Sequence, residues 1–484
     1  MIAFGRPSKM RCPSDSIWFM VTTRRSICYN YNDFHEAYMT ISRLAGSNLS
    51  TQLLQALTPD QASLLHRVAD VAAGRSLPLY LVGGFVRDLI LERPVTDLDL
   101  VVEGNAIPLA KSLAAEYGGQ VTAHARFGTA QWFLPEPLVI RRESSAPSDV
   151  RLSTVDMISA RSESYKHSSA LPTVKPGSLA DDLRRRDFTI NTLALRLDGD
   201  HFGELRDDLG GLEDLQKGLI RVLHPGSFVD DPTRLFRAVR YEQRYDFQIA
   251  PETFPLIPEA LLYIRELSAE RVRHELDLVL EEEKASSILE RLAELGLLTA
   301  VHPALGWSPA VQTRFGSGLA AASTLAQPPS RRTLGWSLWL MDVPLPAVKA
   351  VEKRLHFESG LLGMLLAASG LFAKVDTLVG KKNSRCVVVL DKIPLKAVQA
   401  VLLALPAGSG RQVLFDYLAT WRHVRPKATG HDLKKRGLSP GPAYKSILQR
   451  LRAAWLDGEV STVEEELRLL DKLIKKYAIG QGHQ

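Results

Sequence analysis

Cysteine is nearly absent from this 484-residue chain. The three present, Cys12, Cys28 and Cys386, are too scattered for a disulfide framework or a zinc site, and they point to a reducing compartment. Long apolar runs are missing as well. Stretches such as Val387–Leu390 and Val401–Leu405 fall far short of the roughly 20 residues that a membrane-spanning helix needs. Neither charge sign dominates. Sixty Lys and Arg against 54 Asp and Glu leave +6, a mild basic excess compatible with a nucleic-acid partner without requiring one. Hydrophobic residues at 45% and charged residues at 24% exclude a wholly disordered or collagen-like chain, and there is no internal repeat. The first 30 residues carry Arg6, Lys9, Arg11, Arg24 and Arg25 against a single acid, Asp15. The apolar patch Ile17–Val21 is too short for the core of a secretory signal. Residues 1–50 are therefore read as a disordered leader rather than a transit peptide, and a cytoplasmic location is expected.

What is present divides the chain in two. Thr58-Pro59 is an N-cap followed by proline at the first helical position, and Leu64, Leu65, Val68, Val71 and Ala72 then recur at helical spacing. Leu79–Val82 reads as a short strand broken by Gly83-Gly84, and Asp97–Val102 alternates as a half-buried strand does. A helix over Ala106–Tyr117 closes at Gly118-Gly119, and short strands are expected at 121–124, 130–134 and 150–159. Beyond about residue 228 the periodicity is helical, with helices expected over 233–244, 269–280 and 285–295. Residues 305–332, with Gly306, Pro309, Gly316, Gly318 and Pro328-Pro329, read as a long loop or linker.

The chemistry-bearing signal is Gly83-Gly84-Phe85-Val86-Arg87-Asp88, followed by Asp97-Leu98-Asp99. Two glycines between strand and helix let backbone N–H groups approach a phosphate, and Arg87 one turn in can add a charge-assisted contact. Residues i and i+2 of a strand face the same way, so Asp97 and Asp99 point together. Like charges held that close call for a cation, and all-oxygen donors suit Mg²⁺. A two-metal site needs a further carboxylate from a neighbouring strand, and Asp156 is the candidate, the alternative being a plain strand-edge aspartate. Taken alone, a D-x-D could be two solvated aspartates on a surface strand; its spacing from the Gly-Gly turn and Arg87 favours function. In Arg185-Arg186-Asp187 the paired arginines would hold a triphosphate or a primer backbone; the alternative is an exposed basic turn before a core element.

Asp230-Asp231-Pro232 is a good helix start, and Arg234, Arg237 and Arg240 follow at steps of three. Asp231 and Arg234 are i, i+3 neighbours, one accepting and one donating. Cytosine and adenine both present an amino donor beside a ring-nitrogen acceptor on the pairing edge. One Asp/Arg pair can thus admit C and A and reject G and U, whose buried polar groups would be left unpaired.

Together these segments resemble the class II tRNA nucleotidyltransferases, or CCA-adding enzymes, and the related bacterial poly(A) polymerases, over roughly residues 78–300. Gly83–Asp99 is similar to the family's G-G-x-V-R-D…D-x-D, and Arg185–Asn191 to R-R-D-F-T-[IM]-N. Asp207–Gly211 is similar to D-P-x-G-G without its proline, Asp230–Arg234 to E-D-x-x-R, and Glu270-Arg271 with Glu275-Leu276 to the neck-helix signature. Asp230 stands where the family has glutamate. Arg161–Tyr165 resembles the long-loop branch, which includes species where separate enzymes add CC and the final A.

The resemblance implies an α/β head of the DNA polymerase beta nucleotidyltransferase type (51–200), followed by all-α neck (201–280), body (281–424) and basic tail (425–484). It implies catalysis with two Mg²⁺ ions at Asp97, Asp99 and Asp156. It implies nucleotide contacts at Gly83, Gly84, Arg87, Arg186, Asp187, Asn191, Asp231, Arg234, Arg237 and Arg240. Gly430–Leu433 with Pro440-Gly441-Pro442 resembles the tail segment that touches the tRNA elbow. Arg425–Arg452 holds eight Lys and Arg against one acid, Asp432, and Lys434, Lys435, Arg436 and Lys445 are the expected tRNA contacts. His431-Asp432 lacks the upstream histidines of a metal-dependent phosphohydrolase and reads as local structure.

The expected reaction is addition of C, A or both from CTP and ATP to the 3′ end of tRNA, with release of pyrophosphate. Its narrower forms are A-only, CC-only or poly(A) synthesis. A small-molecule nucleotidyltransferase would leave the basic tail and helical body without a role. A non-catalytic RNA-binding relative would not be expected to keep Asp97, Asp99 and Arg87.

Overall fold

Leu79–Val82, the apolar run ahead of Gly83, becomes the third strand of a seven-stranded sheet. The structure, a computed structural model, describes residues 18–20, 28–30, 47–95, 98–140, 150–164 and 173–481. Two three-residue strands near the N-terminus, β1 (Trp18–Met20) and β2 (Cys28–Asn30), pair antiparallel. The large sheet contains β3 (Leu79–Val82), β4 (Asp99–Val102), β5 (Gln120–His124), β6 (Thr129–Ile140), β7 (Val150–Ser159), β10 (Ala194–Arg196) and β11 (Glu204–Arg206). Its order is β11-β10-β3-β4-β7-β6-β5. β4 and β7 run parallel and the other neighbours are antiparallel. A hairpin of β8 (Arg161–Ser164) and β9 (Thr173–Pro176) stands apart from it.

All four residues of β3 are buried, because both faces of the sheet centre are covered. On one face Tyr80, Val82, Val101 and Ala194 pack with Leu179 and Leu183 of a short helix, Leu179–Arg184. Ser178 and Asp181 start that helix as a capping box. In chain order the helices of this region are α1 (Ser50–Ala56), α2 (Pro59–Ala73), α3 (Gly84–Ile90), α4 (Ala106–Tyr117) and α5 (Leu179–Arg184). Thr58 caps α2 in a capping box with Gln61, and Pro59 opens the helix, as its sequence predicts.

The chain folds as two compact units, Met1–Leu267 and Ser268–Gln484. The interval 201–280 expected as a neck is therefore divided between them. Glu204–Arg206 belongs to the head sheet, paired with β10. The leader also ends earlier than expected. Leu49 is buried, its N–H donates to Gly203 O at 2.7 Å, and Ser50 opens α1. Within 1–50, residues 47–50 thus pack with the head and β1 and β2 are strands, while the rest of that interval lies outside the described residues.

In the second unit the expected linker 305–332 contains a twelve-residue helix, Pro309–Ala320, and Arg331 opens another that runs to Leu340. Ser308 caps the first of these, accepting from Val311 N, with Pro309 at the first helical position. Gly318, which reads as a breaker, instead lets two helices approach closely, since a Cβ there would lie 2.6 Å from Leu338 Cδ2. Trp336, Trp339 and Phe315 are fully buried. The C-terminal helices Gly430–Lys435, Pro442–Leu456 and Val463–Gln481 share a core of Leu433, Ile447, Leu451 and Leu470. The buried Glu466 carboxylate accepts from the N–H groups of Lys427 and Ala428 and anchors the segment leading into them. No helix among the described residues is long and apolar enough to cross a membrane.

Candidate active site

Parallel pairing of β4 with β7 sets Asp99 in register with Asp156. Ala194 is level with Val82, and one step beyond the Leu81–Leu100 pair Val82 is level with Asp99. The end of β3, Asp99, Asp156 and Gln131 thus form one row across the sheet. By strand alternation Asp99 lies on the same face as Val101, the face that α5 covers further along. Asp99 and Asp156 are exposed, whereas Val155 and Met157 point into the opposite core. Gln131 Nε2 donates to Asp156 Oδ1 at 3.0 Å. Asp97 lies outside the described residues. Among the described residues no three His, Cys, Asp or Glu side chains gather as a metal cluster. Two neighbouring carboxylates in register, offering only oxygen, nevertheless have the donor chemistry of a hard divalent cation such as Mg²⁺.

The Gly-Gly turn lies at the end of β3. Gly83 has φ +69°, and its N–H donates to Leu193 O at 3.0 Å. A Cβ on Gly83 would fall 2.5 Å from Arg186 Nη1, so only glycine lets this guanidinium lie across the turn. Arg186 and Arg185 emerge at the end of α5 and are both held by Asp182, which is fully buried. Arg185 donates to Asp182 Oδ1 and Arg186 Nη2 to Asp182 Oδ2, the latter at 2.9 Å. Glu163 of the hairpin takes a further Arg185 donor at 3.1 Å. Arg186 Nε is buried with no partner among the described residues, a donor that a phosphate oxygen would satisfy. Sequence reasoning passed over Asp182, although its i+3 and i+4 spacing to the two arginines signals the pairing. Substituting Gly83 with Ala should strain the turn by about 1–3 kcal/mol and displace Arg186, lowering kcat/KM at least ~10-fold. Steady-state kinetics beside a tRNA-binding measurement checks this; unchanged kinetics would separate the turn from the chemistry.

Arg87 is placed beneath the turn and is 3% exposed. Its Nε and Nη2 donate to Asp88 at 2.9 Å, and its Nη1 donates to Asn191 Oδ1. Asn191 Nδ2 donates to Asp187 Oδ1 at 2.8 Å, and Arg237 Nε donates to Asp187 Oδ2 at 2.7 Å. Four residues expected at the nucleotide therefore bind one another in a chain. Burial alone would raise the Asp187 carboxyl, but Arg237, Asn191 and Arg234 hold it below the usual carboxylate range.

Two further helices follow, α6 (Gly211–Lys217) and α7 (Ser227–Asp230), ahead of α8 (Thr233–Tyr245). The Asp207 carboxylate caps α6, accepting from Gly211 N at 2.7 Å and Leu212 N at 3.0 Å. Gly211 lets α6 close on Thr189 O, 2.5 Å from where a Cβ would sit. Pro232, rather than Asp231, is the residue flanking α8, and Asp231 is in extended backbone just before it. Asp231 Oδ1 accepts from Thr233 N at 3.0 Å and from the Thr233 hydroxyl at 2.6 Å. Arg234 is buried and donates to Ser227 Oγ and, at 2.9 Å, to Arg185 O. The Asp/Arg pair is thus adjacent in space to the arginines that follow α5. Arg240 is buried, its guanidinium carbon 5.6 Å from the centre of the Tyr241 ring.

In the second unit Lys434, Lys435 and Lys445 are exposed, whereas Arg436 is half-buried and paired with Asp471 at 2.9 Å. Asp432 accepts from Thr429 N and Oγ1, both at 2.8 Å, and caps its own helix, in keeping with its reading as local structure.

Residues 79–221 match the family described as "Poly A polymerase head domain", and residues 246–307 match "Probable RNA and SrmB-binding site of polymerase A". The chain is 31% identical over 438 residues to an A-adding tRNA nucleotidyltransferase of Halalkalibacterium halodurans, covering 87% of this chain and 94% of that protein. It is 34% identical over 436 residues to an A-adding tRNA nucleotidyltransferase of Geobacter sulfurreducens, of whose length it spans 47%, and 85% of this chain is covered. A CC-adding tRNA nucleotidyltransferase of Deinococcus radiodurans is 34% identical over 405 residues, covering 81% of this chain and 89% of that protein. The Thermotoga maritima CCA-adding enzyme solved with tRNA superposes with a TM-score of 0.71 at 26% identity, covering 89% of this chain and 99% of that one. The chain belongs to the family of tRNA nucleotidyltransferases and poly(A) polymerases.

Proposed function

We propose that this protein extends the 3′ end of tRNA without a nucleic-acid template: the terminal hydroxyl attacks the α-phosphate of ATP or CTP, and pyrophosphate leaves. The observation that carries the reading is the register of Asp99 with Asp156 at the sheet end where Arg186 crosses the Gly83 turn. Mg²⁺ would be held by Asp99 and Asp156 with Asp97, and when bound it supplies charge neutralisation and a more acidic attacking hydroxyl. The protein's own part is positioning. Backbone N–H groups of the turn and the Arg186 guanidinium receive the triphosphate, and Asp182 fixes the direction of that guanidinium. Asp231 and Arg234 read the pairing edge of the base, with C and A satisfying an acceptor–donor pair. Exposed Lys434, Lys435 and Lys445 attract the tRNA backbone, so binding weakens as salt rises.

The narrower output, terminal A alone, is favoured by the A-adding relative that matches nearly end to end. CC addition is its rival through the Deinococcus protein. Three tRNA transcripts decide, ending before CCA, after the first C and after both, each incubated with labelled ATP or CTP. An A-adding enzyme labels the third with ATP alone, a CC-adding enzyme the first two with CTP, and a CCA-adding enzyme all three. No labelled product from any transcript rejects the proposal.

A further inference from the structure

The chain from Arg87 through Asn191 and Asp187 to Arg237 does not stop there. Arg237 Nη2 donates to Tyr241 Oη at 3.1 Å, and the Tyr241 ring returns to Arg87, whose guanidinium carbon lies 5.1 Å from its centre. Tyr245, one turn on, touches the Arg87–Asp88 pair twice. Its ring centre is 4.6 Å from the Arg87 guanidinium carbon, and its hydroxyl donates to Asp88 Oδ1 at 3.0 Å. The result is a closed ring of contacts joining α3, the residue 189–191 turn and α8. Both tyrosines are buried, so the cation–aromatic contacts are shielded from water.

We propose that Tyr245 is a positioning residue for nucleotidyl transfer: it ties the Arg87–Asp88 pair, and with it the Gly83-Gly84 turn, to the helix that carries Arg234. This rests on the function proposed above. Base selection happens at the start of α8 and phosphate alignment at the start of α3, so a rigid link lets a correctly seated base set the triphosphate in line. Arg87, at 3% exposure with its named donors spent inside the protein, serves as the hub of that link rather than as a phosphate ligand. Tyrosine suits the post because its ring face attracts the guanidinium while its hydroxyl donates to the carboxylate. Burial pushes that hydroxyl up to about 12, so it stays a donor at any working pH.

The test compares wild type, Tyr245→Phe and Tyr245→Leu on a tRNA transcript, measuring kcat, KM for ATP, the ATP/UTP ratio of kcat/KM, tRNA binding and thermal melting. Tyr245→Phe keeps the ring and loses the hydroxyl; kcat should fall about threefold with the ratio nearly unchanged. Tyr245→Leu loses both; kcat and the ratio should each fall about tenfold, with KM and tRNA affinity within about twofold. The proposal is overturned if both variants keep the wild-type kcat and ratio. It is equally overturned if activity falls only in step with the folded fraction while the ratio holds. Should Tyr245→Leu fail to fold, Tyr245→Phe decides alone, and wild-type kcat there overturns the link. A wild-type protein that incorporates no nucleotide sinks the parent function instead.

Discussion

Replacing Asp99 with Asn should cut nucleotide incorporation by on the order of 10³ or more while tRNA binding stays within about twofold. The amide is nearly isosteric, and the side chain is exposed at the first residue of β4, so folding has little reason to suffer. What changes is one negative charge beside Asp156, in the row to which the proposed function assigns the triphosphate. Asp156→Asn should behave alike, with a milder loss if Gln131 re-pairs with the new amide. Single-turnover incorporation alongside filter binding reads both quantities. Full activity in Asp99→Asn would refute the assignment of this row to the chemistry, and a loss of tRNA binding in proportion to activity would move Asp99 from the reaction to the interface.

Arg234→Ala should lower discrimination against UTP and GTP by about 10², more than it lowers tRNA affinity. The guanidinium also ties α8 to Ser227 and to the backbone of Arg185, so the alanine variant leaves buried partners unpaired as well as losing the proposed base contact. Arg234→Lys separates the two. It keeps the charge and loses the planar fork, so selection should suffer while melting temperature moves less. The measurement is kcat/KM for each of the four nucleotides on one primer. Unchanged ratios in both variants would remove Arg234 from base selection.

The parts of this candidate site that the sequence signals are local. A glycine pair between strand and helix, two aspartates two apart and a helix opened by Asp-Asp-Pro each occupy a few consecutive residues. The proposal of Asp156 needed only a strand with one carboxylate between apolar neighbours, but its partnership with Asp99 depends on a parallel pairing over 56 intervening positions, which spacing does not encode. The same limit explains Arg87. A charged residue one turn into a helix reads as a ligand, whereas its burial comes from Asn191, Tyr241 and Tyr245, all more than a hundred residues away. Residues 305–332 read as a linker for a different reason: glycine usually breaks a helix, whereas Gly318 supplies room for Leu338. Asp182 carries a local signal too, its i+3 and i+4 spacing to the arginines it holds.

The in-register pairing of β4 and β7 has an evolutionary corollary. The stretch between β6 and β7 can lengthen or shorten without moving Asp156, since only the ladder decides what stands beside Asp99. Loss of one residue inside β7 cannot be absorbed so easily. It would bring Val155 or Met157, both buried now, out to the solvent face and draw the acid inward, silencing the enzyme while leaving the composition of the strand almost untouched.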